Sequence, residues 1–132
     1  MSDTTTVNEP TMIGLSERTH PLLKRLKDDG HFAEMADAYR FGVALALAHG
    51  VQPNEISGTR QTVFSVATID PDREIATAVR TILGDDVSSI YKRVERLAEW
   101  GVRELARRAE DGEIDFADLL SEATRLAGGG NG

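Results

Sequence analysis

Five residues of one predicted helix carry the clearest chemistry in this sequence. Arg93, Arg96, Trp100, Arg103 and Arg107 follow one another at spacings of three, four, three and four. That spacing sets all five on one face of an α-helix. Guanidinium groups form paired hydrogen bonds with phosphate or carboxylate oxygens, and an aromatic ring among them offers a stacking surface. Two readings fit. One is a grip on a phosphate backbone or on an acidic segment of a partner. The other is a solvated face neutralised by Glu99, Glu104 and Asp111, with Trp100 packed under arginine side chains.

His31, Glu34 and Asp37 form a second group, three residues apart. An imidazole and two carboxylates on one side of a helix could face a metal ion. Acids at a helix start also stabilise its dipole. That is the simpler reading, so no metal is expected. His20 and His49 stand alone. The chain has no cysteine, which excludes disulfides, thiol catalysis and cysteine-based zinc sites. It has no Ser–His–Asp arrangement, no carboxylate dyad and no phosphate-cradling glycine loop. Gly128-Gly129-Gly130 has neither a strand before it nor a helix after it. Neither an enzyme nor a cofactor is expected.

Composition narrows the partners. The 132 residues fit one domain. Twenty-two acids against 15 bases give a net charge of −7. A whole surface attractive to nucleic acid or anionic lipid is excluded, but a local basic patch is not. The longest apolar stretch, Phe41 to Ala48, is too short to span a membrane. The polar, acidic N-terminus has no signal-peptide pattern. A cytoplasmic protein with no membrane partner is the expectation.

These side chains need elements to hold them. Residues 1–10 are expected to be disordered, 11–127 to form a single helical domain, and 128–132 to be a flexible glycine-rich tail. Met12 to Leu15 reads as a short strand with Ile13 and Leu15 on one side. Ser16 or Thr19 can cap a first helix that Gly30 ends, and Pro21 favours Thr19 because it then sits in the first turn. A second helix spans about Ala33 to His49. Residues 62–69 read equally as a strand or a packed loop. Asp70-Pro71 opens a helix that stops at Gly84. A long helix follows from about Val87 to Glu110, with Glu99→Arg103 and Glu104→Arg108 as four-apart pairs. Asp115 caps a last helix. The second helix is apolar on every side over Phe41–Ala48, and such a helix needs cover on every side. Phe41, Val43, Leu45 and Leu47 are therefore expected at the core of a homodimer or homotetramer.

The order strand, short helix, glycine turn, longer helix resembles the ribbon-helix-helix superfamily over Thr11 to Gly50. The matching residues are Ile13-Gly14-Leu15-Ser16, Leu22-Leu23-Lys24-Arg25-Leu26 and Gly30. The resemblance implies a dimer paired through its strands, with strand side chains able to read the DNA major groove. With Ile13 and Leu15 inward, the outward Met12 and Gly14 offer no side-chain donor to a base edge. Glu34 and Asp37 would repel a phosphate at the start of the second helix. Sequence-specific repression is not expected.

The whole order resembles one further family. The early helix pair precedes Gly58 and a Thr/Val/Phe segment ending at Asp70. A helix ending near Leu83-Gly84 and a long helix carrying Trp100-Gly101 and Leu105 then follow. This is similar to the DndE proteins of DNA phosphorothioate modification. The fold class expected is mainly α: a ribbon-helix-helix-like N-terminal part, then a three-helix C-terminal part, in an oligomer. The resemblance implies a non-catalytic DNA-associated accessory protein of a DNA-modification or phage-defence system. Its partners would be nicked or duplex DNA and other proteins of the same system. It places DNA contacts on Arg18, Lys24, Arg25 and Lys27, beside the stripe Arg93, Arg96, Arg103 and Arg107. The alternative is an oligomeric protein–protein adaptor that keeps the dimer core and binds no DNA, which the acid surplus suits.

Overall fold

The computed structural model describes residues 10–52, 58–84, 89–112, 114–115 and 121. The chain is mainly helical, with one two-stranded antiparallel sheet. In order, the elements are β1 (Met12–Ser16), α1 (His20–Asp28), α2 (Met35–Ala48), β2 (Arg60–Ser65), α3 (Val66–Ile69), α4 (Glu74–Leu83) and α5 (Ile90–Glu110). Residues 1–9, the glycine-rich tail and nearly all of the expected last helix after Asp115 lie outside the described residues.

Local chemistry explains the helix ends. Gly30 and Gly50 take the left-handed conformation, at φ +83° and +65°. After each, the next amide reaches back: His31 N–H donates to Leu26 O and Val51 N–H to Ala46 O. This closure satisfies carbonyls that the ends of α1 and α2 would otherwise strand. Ser65 Oγ accepts from Thr68 N–H and starts α3. Arg40 of α2 donates to the carbonyls of Thr68 and Ile69 at the other end of α3.

Two helix starts differ from expectation. Thr19 does precede α1, but its side chain makes no cap. Its hydroxyl donates instead to Glu99 of α5. Asp70 does cap the fourth helix, from further away. Its carboxylate accepts from Ile75 and Ala76 N–H, and α4 begins at Glu74 after Arg73 in a left-handed turn at φ +61°.

The core lies where α2 crosses α5. Gly42 and Gly101 meet there, backbone against backbone. Their missing side chains let Val43, Leu45 and Ala46 pack with Val94, Leu97, Val102 and Leu105. α1 lies on both helices through Leu23 and Leu26, and α4 packs on α5 through Ala76 and Val79. This packing revises the expectation for α2. Val43 and Leu45 are each 1% exposed within a single chain, so the cover assigned to a second copy comes from α1 and α5. Phe41 and Leu47 are half-buried.

The segment read as strand or loop divides into both. β2 pairs antiparallel with β1, with Met12 opposite Ser65 and Ser16 opposite Arg60, and an irregularity falls between Ile13 and Gly14. α3 follows at once. Burial along β1 does not alternate: Gly14 and Ser16 are buried with Ile13 and Leu15, and Met12 alone is exposed. Among the described residues no helix is long and apolar enough to cross a membrane.

Candidate functional site

β2 holds one edge of β1, and side chains from two helices hold the other. Gly14 N–H donates to Glu95 Oε2 at 2.9 Å, and Ser16 N–H to Glu99 Oε1 at 3.0 Å. Tyr39 Oη donates to Gly14 O at 2.9 Å. Both glutamates stand on α5 one turn apart, so they meet alternate amides of an extended strand. Arg60 of β2 closes the set, pairing with Glu95 and donating to Met12 O. Sequence reasoning missed this cluster. Its one visible signal was a glutamate pair one turn apart on the long helix.

Burial sets the protonation behaviour of this cluster. Loss of solvent pushes the Glu95 carboxyl up, and the Arg60 guanidinium and Gly14 N–H only partly oppose it. Burial likewise pushes the Tyr39 phenol well above its usual range, helped by the Glu95 charge. The phenol stays protonated and serves as a donor.

Glu99 makes further contacts at the turn between β1 and α1. Ser16 Oγ and Thr19 Oγ1 each donate to its Oε2 at 2.7 Å. Three donors therefore claim this carboxylate. The Glu99→Arg103 pair expected from four-apart spacing does not form, whereas Glu104→Arg108 does, at 2.8 Å.

α1 and α5 run side by side in the same direction. Thr19 meets Glu99, Leu22 lies by Arg103, and Leu26 lies by Ala106 and Ala109. Two hollows open along this seam. One, of about 120 Å³, is lined by Ser16, Arg18, Thr19, Leu22, Glu99 and Arg103. A smaller one, of about 60 Å³, lies further along, with Arg25, Asp29, His31 and Glu110 in its lining.

Of the predicted basic residues on this side of the sequence, Arg18 and Arg25 line the two hollows against α5, whereas Lys24 and Lys27 stand at α1 positions turned away from Leu22 and Leu26. Arg18, Lys24, Arg25 and Lys27 are exposed on α1 and the turn before it. Arg103 and Arg107 are exposed on α5, with Arg93, Arg96 and Trp100 half-buried on the same side. The structure brings Arg18 and Arg103 to one hollow. Lys24 is tied to Asp28 at 2.7 Å, and Arg107 to Glu104 and Asp111. The Glu104 carboxyl is held below its usual range, first by Arg107 and then by Arg108. Among the described residues, Arg18, Arg25, Lys27, Arg93 and Arg103 have no ion-pair partner. Trp100 lies against His49, ring centres 5.7 Å apart.

The other candidate group does not converge. Asp37 pairs with Arg40, and the described residues contain no cluster suited to a metal ion. No protein-family model, curated protein or solved structure matches the chain.

Proposed function

We propose that this chain is a non-enzymatic, DNA-associated accessory protein that meets the phosphate backbone with the joined face of α1 and α5. Segregation of charge carries this reading. Residues 17–29 and 90–110 hold ten of the chain's fifteen bases but seven of its twenty-two acids. Two of those seven, Glu95 and Glu99, turn inward to β1. What faces solvent along this seam is therefore more basic than the sequence count. The rest of the sequence carries the acid surplus, and its exposed described acids, Asp37, Asp72 and Glu74 among them, repel a polyanion. Trp100 adds an aromatic surface among the arginines.

The β1–α1–α2 order is the one that suggested the ribbon-helix-helix resemblance, although β1 pairs with β2 of its own chain, and a role in DNA modification or phage defence rests on the DndE resemblance alone. Both edges of β1 are occupied within the chain. A homodimer or homotetramer would therefore use other surfaces, with Phe41 and Leu47 at the contact rather than Val43 and Leu45.

Fluorescence anisotropy with intact, nicked and single-stranded DNA at low and moderate salt tests the proposal, with light scattering on the same sample. Binding that weakens steeply with salt supports it, because phosphate contacts release counterions. No binding to any of the three at low salt overturns it and leaves the protein–protein adaptor.

A further inference from the structure

Arg18, in the turn between β1 and α1, and Arg103 of α5 line one hollow. The hollow, of about 120 Å³, lies at the corner where β1 turns into α1. Three charged residues line it, two of them arginines. Neither has an ion-pair partner among the described residues. The third is Glu99, one turn before Arg103 and so its natural partner on a helix. Glu99 is withheld from it. Its Oε1 accepts from Ser16 N–H at 3.0 Å, and its Oε2 accepts from the Ser16 and Thr19 hydroxyls, each at 2.7 Å.

Two arginines against one carboxylate leave the lining of this cavity with a surplus of one positive charge, which favours an added anion. Guanidinium groups bind tetrahedral oxyanions through paired N–H donors, more strongly than neutral donors do. Leu22 adds an apolar side chain to the lining. The geometry points to this hollow as a seat for one phosphoryl oxyanion, gripped by Arg18 and Arg103, with Glu99 held aside by Ser16 and Thr19. The inference rests on the DNA-associated reading for the source of that phosphate, a backbone diester.

A nitrogen-15 NMR titration of the full chain tests the seat. It follows the Arg18 and Arg103 side-chain Nε–H signals and the Ser16–Thr19 amides. The probes are inorganic phosphate and, separately, a short DNA duplex, against sodium chloride of equal ionic strength. Both probes are expected to move these signals to saturation, and chloride is not. R18Q/R103Q is expected to weaken phosphate binding about tenfold or more, since two charge-assisted grips are lost. E99Q removes the like charge and is expected to tighten binding about threefold. Both arginines are exposed, so far-UV circular dichroism should show a folded double variant.

The arms separate the two readings. Saturation by phosphate but no duplex binding upholds the seat, makes free phosphate or a monoester its ligand, and ends the DNA reading. Duplex binding that leaves the Arg18 and Arg103 signals unmoved overturns the seat and upholds the DNA reading. A phosphate response unchanged in R18Q/R103Q also overturns the seat.

Discussion

Gly101 packs directly on Gly42 where α5 crosses α2: a β-carbon on Gly101 would stand 1.9 Å from the Gly42 carbonyl oxygen. No side chain fits there unless the two helices move apart. An alanine gains about 1 kcal/mol of helix preference over glycine. Overpacking a tight contact costs about 1–3 kcal/mol, and more when backbone on both sides must shift. Gly101→Ala is therefore expected to lower stability. Gly42→Ala is expected to cost less, because its nearest obstruction is the Val102 nitrogen at 3.0 Å. Urea unfolding of both variants checks this. A Gly101→Ala protein as stable as the parent would mean that the helices do not cross in this way.

The cover of α2 makes a second prediction. Leu45 is 1% exposed inside one chain. Leu45→Ala is expected to cost about 2–5 kcal/mol of folding stability, as large-to-small core changes do. The mass seen by light scattering should not change while the protein stays folded. A variant that keeps its unfolding midpoint but halves its mass would move Leu45 from the chain's own core to a contact between copies.

How much of this was legible depended on distance along the chain. Helix α5 was legible because one apolar period runs unbroken from Val94 to Leu105. That Arg93, Arg96, Trp100, Arg103 and Arg107 share one face followed from the same period, but that Arg93, Arg96 and Trp100 are half-buried there did not. The Glu99 partner was not legible. Four-apart spacing assigned it to Arg103, but its donors lie 80 and 83 residues away. The pairing of β1 with β2 was hidden for the same reason. Composition suggested a strand near residue 62, and nothing local named its neighbour. Asp70 shows the intermediate case. Its capping role was readable, but its reach to Ile75 and Ala76 depends on the left-handed turn at Arg73, which residue preference disfavours.

Asp70 is buried and accepts three hydrogen bonds: Ile75 N–H at 2.9 Å, Ala76 N–H at 3.0 Å and Tyr91 Oη at 2.9 Å. Asp70→Ala leaves all three donors without their acceptor and is expected to cost about 3 kcal/mol. Tyr91→Phe removes one donor, leaves the cap intact and is expected to cost about 1.5 kcal/mol. Urea unfolding should rank the two in that order. Equal losses would show that the tyrosine hydroxyl, and not the helix cap, is the main contribution.

Glu95 predicts a pH effect of defined sign. Its burial raises the folded carboxyl above the ordinary value of 4.5. Between that value and the raised one, the folded chain holds the proton more tightly than the unfolded chain does. The contribution of Glu95 to stability therefore falls as pH rises through this window. Glu95→Gln cannot titrate, so the parent's stability minus the variant's should decline as pH rises above the ordinary carboxyl value of 4.5. Urea midpoints of both proteins across that range supply the difference. A difference that rises with pH would mean that Arg60 and the Gly14 amide outweigh burial and hold the carboxyl down.

The α1–α5 face makes the last prediction, in salt dependence rather than affinity alone. Each phosphate neutralised by a bound cation contributes about −0.9 to the slope of log binding constant against log salt. Arg96→Glu and Arg103→Glu each remove a cation from the middle of α5 and place a carboxylate there. If both side chains contact phosphates, each reversal should weaken DNA binding and flatten the slope by about 1. Glu34→Gln lies off the α1–α5 seam, at the start of α2, and should leave the slope unchanged. Slopes are read from anisotropy titrations at four or more salt concentrations. A weaker but equally steep dependence would place Arg96 and Arg103 beside the DNA without phosphate contact. An unchanged constant and slope in both reversals would take the arginine stripe out of the interface and leave it a solvated helix face.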